Sequence, residues 1–247
     1  MKNTSVHVVL RTFSEGGLVL IHDGLDSDNK AHLIVSAEKI TEESYTALKR
    51  VGHQTIHVAL EASRLIDLGF KASFEDNSYQ VVNTVSVDAK DNEAENFLLS
   101  ELKTIARLVD PHSSILNFKQ PGTVFITQAA YGGVLKRAGH VEAAVDVARL
   151  SNLKAIALIS EIADETGKRL NNEELANFVS HHNIPCLKIE DLILHRRQNE
   201  SMVKRASSAK MPTKHGEFTI VGYENILTKE HHVALVKGDV SNGEPVL

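Results

Sequence analysis

Short apolar runs alternate with stretches of helical period along most of the chain, and this alternation constrains the fold more than any other feature. LVLI (Leu18 to Ile21), LIVSA (Leu33 to Ala37), TIHVAL (Thr55 to Leu60) and AIALISEI (Ala155 to Ile162) read as buried strands. VVNTVSVDA and TVFITQAA read as two more, with Pro121-Gly122 as a turn before the second. Helices are expected at Val6 to Phe13, at Ser44 to Arg50 behind a Thr41 cap, and in EASRLIDLGF, which Gly69 ends. Glu95 to Val109 shows helical spacing at Phe97, Leu98, Leu102, Ile105 and Leu108, and Asp110-Pro111 stops it. His140 to Asn152 reads as amphipathic, with Val141, Ala144, Val145 and Ala148 on one face. Further on, ADETGKRL is a turn, Asn172 caps EELANFVSHH, Pro185 opens the strand CLKI, and Asp191 to about Arg205 is a long polar helix. Strands alternating with helices predict an α/β or α+β domain, with the strand order left open.

After that helix the character changes. Ser207 to Thr213 reads as a linker, and Glu217 to Val221 and His232 to Val236 as strands, with a turn at Asp239 to Gly243. The 35 residues after Pro212 are too few to bury a core of their own. They are expected to dock on the main domain or to open a larger one.

Composition narrows the function classes. The net charge of -5 gives no ground for nucleic acid or an anionic membrane as the main partner. No run of about 18 apolar residues predicts a membrane span. MKNTSVHVVLRTF lacks the apolar run and small-residue cleavage site of a signal peptide. One cysteine, Cys186, leaves no internal disulfide and no multi-cysteine zinc site. Together these predict a cytoplasmic protein. The 13 histidines are the one oddity, and most are scattered.

Three places carry candidate chemistry. His140 stands at a helix start, where a histidine either binds a divalent metal or is a half-exposed polar residue. Glu142 and Asp146 follow one turn apart, and Arg149 is placed to pair with Asp146, which favours a surface ion pair for those two. Glu161 ends a buried strand, where a carboxylate is costly unless it is paired or functional. The loop DGLDSDNKAH offers Asp23, Asp26 and Asp28, oxygen donors suited to Mg²⁺ or Ca²⁺, but it lacks the Gly and terminal Glu of a calcium-binding loop, which favours a plain solvated loop. No phosphate-binding glycine loop and no nucleophile elbow is present; Gly132-Gly133 reads as a turn.

GGVLKRAGHVEAAVDVARLSNL, ALISEI and LKIEDLILHRR together resemble the 3,4-dihydroxy-2-butanone 4-phosphate synthase family. TVSVDA, ARLVDP, QPGTVF and SAEKIT extend the resemblance over about residues 6 to 200. MPTKHGEFTIVGYEN and EHHVALVKGDVSNGEPVL resemble the opening of GTP cyclohydrolase II. The resemblance implies a synthase-like sandwich of a mixed sheet flanked by helices at 1-205. A linker and a truncated cyclohydrolase-like part at 206-247, without cyclohydrolase activity, follow from it as well.

The family implies a lyase of riboflavin biosynthesis. It converts ribulose 5-phosphate to dihydroxybutanone phosphate and formate, with Mg²⁺ or Mn²⁺, in a homodimer. On this chain the resemblance makes His140 and Asp28 metal ligands, and Glu161 and Asp28 the catalytic pair. Arg137, Glu142, His32 and His57 become substrate-binding residues. The family's acidic loop, Arg-Glu-Asn-Glu-Gly-Asp, reads here Ser27-Asp28-Asn29-Lys30-Ala31-His32. A family cysteine is replaced by His57, a threonine by Val141 and a histidine by Thr123. A lysine for a glutamate beside two cations adds repulsion. The expectation is a degenerate site with weak or no synthase activity, in a protein that pairs with an active riboflavin-pathway paralogue. The alternatives are an active Mg²⁺ synthase with a modified loop, or a repurposed protein for another phosphorylated ligand. In the latter, three histidines would favour a transition metal.

Overall fold

A computed structural model describes residues 4–24, 30–52, 55–71, 82–91, 96–164 and 166–240. The chain divides into two compact units, Met1–His195 and Arg196–Leu247.

The first unit is built on a seven-stranded mixed sheet. Its strands are β1 (Val19–His22), β2 (Ala31–Ser36), β3 (His57–Glu61), β4 (Val82–Ala89), β5 (Phe118–Ala129), β6 (Ile156–Glu161) and β7 (Cys186–Lys188). They lie in the order β4-β5-β3-β6-β2-β1-β7. The β3–β5 and β1–β7 pairs are parallel, and the other pairs are antiparallel. The central strands β1, β2, β3 and β6 are apolar on both faces because helices cover both, which is why they read as unbroken apolar runs.

One face carries α2 (Glu42–Gly52), α3 (Ala62–Leu68), α4 (Phe97–Val109) and α6 (Asn172–His182). They bury Tyr45, Leu48, Leu65, Ile105, Leu108 and Leu175 against Leu33, Val58 and Leu158. The other carries α1 (Val6–Ser14) and α5 (His140–Leu150), which bury Val9, Phe13, Val145 and Ala148 against Ile34, Ala59 and Ile159. This is the expected α/β sandwich.

Helix ends follow their sequence signals, with one shift. Thr41 accepts the Ser44 N–H at 3.1 Å and starts α2. Gly69, at φ 82°, closes α3 in the left-handed conformation. The cap of α6 is Asn171 rather than Asn172: its side chain accepts from Glu173 and Glu174, and Glu174 reaches back to the Asn171 N–H at 2.8 Å.

Three other expectations are corrected. Pro121-Gly122 is no turn but lies inside β5. Lys119 and Val124 pair with the adjacent residues Asp88 and Val87, so the residues between them bulge out of the ladder. Gly122 sits so close to β4 that a Cβ there would stand 2.0 Å from the Val87 carbonyl carbon.

Helix α5 is not amphipathic. Every residue from Val141 to Ala148 is buried, because its alanines let it sit between the sheet and α1. Glu142 and Asp146 are therefore core residues and not a surface pair, although Arg149 does bind Asp146 as expected.

The last correction concerns the second unit. The polar helix α7 (Ile189–Asn199) stops short of Arg205, and the expected linker is strand β8 (Val203–Thr213). It pairs antiparallel with β9 (Gly216–Asn225), which pairs with β10 (His231–Val236). Nearly all of β8 is exposed, so it has no apolar pattern to read. Its ladder partner holds it, and its edge position tolerates Pro212. Among the described residues no helix is long and apolar enough to cross a membrane.

Candidate functional site

The strand order assembles the predicted histidines. His32 on β2 is the register partner of Glu161 on β6, and His57 on β3 is the partner of Ile159, two residues earlier on β6. Side chains two apart on a strand share a face. His32, His57 and Glu161 thus line the face of the sheet that α5 covers. His140, the first residue of α5, meets them there: its ring lies 4.2 Å from that of His32, centroid to centroid.

Each group has a defined partner or lacks one. His140 Nε2 lies 2.9 Å from the Lys30 carbonyl oxygen. A carbonyl only accepts, so Nε2 carries the proton and Nδ1 holds the ring's only lone pair. His57 Nδ1 meets Thr127 Oγ1 at 3.0 Å. His32 Nδ1 is buried and has no hydrogen-bond partner among the described residues. Glu161 accepts from Arg169 Nε at 2.6 Å. The Asp23 carboxylate accepts the Lys30 N–H at 3.1 Å.

Burial keeps the three rings neutral. It pushes His32 down to about 2, helped by His140 and by the cations Arg169 and Lys30. Burial also lowers His140, against the Lys30 carbonyl and the Asp23 and Glu161 carboxylates, which favour its proton. His57 is lowered by burial.

Arg137 and Glu142 form a second layer. Glu142 is 0% exposed and binds Arg137 and the Ala130 N–H, at 2.7 Å for the latter. Buried in this way, Glu142 meets protein groups, Arg137 and the Ala130 N–H, in this structure. Asp28, with Asp26, Ser27 and Asn29, lies outside the described residues. Among the described residues, no three His, Cys, Asp or Glu side chains are placed to hold a metal ion, which removes support from the three-histidine metal site.

Sequence reasoning missed Arg169 and Lys168. They sit in the segment read as a plain turn, which folds back so that Ala163 pairs with Arg169. With Glu161, Ala163 and Gly167 they line an open pocket of about 430 Å³. The signal available was two cations eight residues or less after an unexplained strand-end glutamate.

Residues 7–195 match the family model of 3,4-dihydroxy-2-butanone 4-phosphate synthase, and residues 204–247 match that of GTP cyclohydrolase II. The riboflavin biosynthesis protein RibBA of Rhodococcus jostii is 36% identical over 241 residues, 96% of this chain and 58% of that protein. RibBA of Bacillus mycoides is 34% identical over 244 residues, covering 98% and 62%. This chain therefore spans about three fifths of those relatives.

RibBX, a two-domain synthase of A. baumannii, superposes with a TM-score of 0.80 at 28% identity, over 95% of this chain and 70% of that one. A synthase solved with two magnesium ions gives 0.68 at 27% identity, over 79% and 97%. Sheet, site and comparisons agree: the chain belongs to the 3,4-dihydroxy-2-butanone 4-phosphate synthase family of riboflavin biosynthesis.

Proposed function

We propose that this chain is a divergent synthase-family protein whose site retains the family's His140 and Glu161 but turns ribulose 5-phosphate over weakly or not at all. The observation that carries this is the cation placed on the acid/base group: Glu161 is tied to Arg169. Lys30 and Arg169 are also the cations acting on the neighbouring His32.

Two divalent ions fit these described residues poorly. Two cations, Lys30 and Arg169, stand where cation charge must be neutralised, and Arg169 holds one Glu161 oxygen, while the His140 Nε2–H bonded to the Lys30 carbonyl leaves Nδ1 as a lone-pair donor. The domain organisation proposed is a synthase-like part at 1-205 and the start of a cyclohydrolase-like part at 206-247. Its role is pairing with a complete riboflavin-pathway enzyme. Homodimerisation belongs to the same reading.

The test is direct. Purified protein, ribulose 5-phosphate and Mg²⁺ are combined, and formate is measured. Release at least about 10²-fold slower than that of a complete synthase is expected, the usual effect of disabling one acid/base group. Turnover at the rate of an ordinary synthase sets this reading aside.

A second reading, an active Mg²⁺ synthase, is favoured by one observation: His140 keeps company with two carboxylates, Asp23 and Glu161, both close enough to act on the ring. Full formate release that is lost with EDTA supports it.

A further inference from the structure

The segment from Ala130 to Gly139 carries Arg137 and leads directly into His140. Two carboxylates of α5 grip it. Asp146 Oδ2 accepts the Val134 N–H at 2.8 Å, and Oδ1 binds the Arg149 guanidinium. Glu142 Oε1 accepts from Ala130 and Arg137. Both residues are fully buried.

Two glycines make room for them. A Cβ at Gly133 would stand 2.1 Å from Asp146 Oδ1, and one at Gly139 would stand 2.3 Å from Glu142 Oε2. Packing alone does not explain this, since alanine or valine fills every other buried position from Val141 to Ala148 at no desolvation cost. What the two carboxylates share is the segment they hold.

We infer that Glu142 and Asp146 are positioning residues that fix the Ala130–Gly139 segment, so that Arg137 is held and the His140 ring is presented in one orientation beside His32. This rests on the reading above that the cluster of His32, His140 and Glu161 is the ligand site. Neither carboxylate touches a ligand; both act through Arg137 and His140.

Histidine-labelled protein tests it by NMR, with the His140 ring signals assigned from a His140→Gln variant. In Asp146→Asn an amide N–H replaces one of two oxygens that both accept, so donor meets donor. The expected result is a displaced or broadened His140 ring signal and faster hydrogen exchange across residues 130–139. Thr104→Val is the control: it removes a buried hydroxyl that accepts the Ala89 N–H at 3.0 Å. It should lower the melting temperature and leave His140 unmoved.

If Asp146→Asn melts lower but its His140 signals and its exchange stay as in the wild type, the carboxylate is only a core polar group and the inference is overturned. Glu142→Gln, read the same way, decides the matter should Asp146→Asn not fold. Ribulose 5-phosphate titration is a separate arm. Where the wild type binds it, Asp146→Asn should weaken binding about 10-fold, the scale on which supporting residues act. A wild type that does not bind it counts against the ligand-site reading, while the histidine signals still judge the positioning role.

Discussion

Lowering the pH from about 7 to about 5 should cost the first unit roughly 2 kcal/mol through His32 alone. The folded ring stays neutral down to about 2, whereas an unfolded histidine takes up its proton near 6.5. Below 6.5 the unfolded chain therefore binds more protons than the folded one and is favoured. The stability conferred by the neutral ring is complete above 6.5 and drains away as pH falls towards 2. Each unit of pH in that window is worth about 1.4 kcal/mol per ring.

His57 and His140 are lowered by burial and add to the slope in the same direction. Around His140 the Asp23 and Glu161 carboxylates oppose burial, while Lys30 works with it. Urea unfolding across this pH range gives the measurement, and its reference is His32→Asn, which cannot titrate. The difference between the two proteins should shrink by about 2 kcal/mol at the acid end. Parallel pH curves for both would show that His32 is protonated in the folded state, and that the burial argument is wrong.

Gly133→Ala should destabilise the first unit by about 3 kcal/mol, from two sources. At φ 63° a Cβ meets the left-handed penalty, about 1 kcal/mol. The new atom would also stand 2.1 and 2.3 Å from the two Asp146 oxygens, which cannot retreat because Val134 and Arg149 hold them. Overpacking of that kind costs about 1–3 kcal/mol.

Gly69→Ala separates the two sources. Its φ of 82° carries the same backbone penalty, but its nearest neighbour is a methyl group of Ile115 at an ordinary 3.4 Å. Equal losses of melting temperature for the two variants would mean that the Asp146 carboxylate is not wedged against Gly133.

The histidines and carboxylates of the site were legible one by one, and their company was not. A motif of local sequence marks His140 and Glu161 without any knowledge of neighbours. His32 and His57 became candidates through the resemblance, at 25 residues' separation along the chain, and only the order β3-β6-β2 puts them beside Glu161. Arg169 was invisible as a partner for Glu161 because turn residues announce a change of direction and not what they turn back to meet. Glu142 and Asp146 were read outward, since charged residues one turn apart on a helix usually face water.

The sequence by itself determined most of the strands and helices of the first unit, though not the extent of β5, because burial of one or both faces imprints a period that a short window can read. It also determined the family, because the residues of α5 and β6 are specific enough to be recognised without a fold. Tertiary structure decided everything that depends on a partner distant in the chain. Strand β8 exists because β9 supplies its hydrogen bonds, and the bulge at Gly122 exists because β4 lies against it. Asp146 is in the core because Val134 and Gly133 close over it. A local period records how much of a segment is buried, but an ion pair, a ladder or a close approach is set by the other chain segment, which no local window contains.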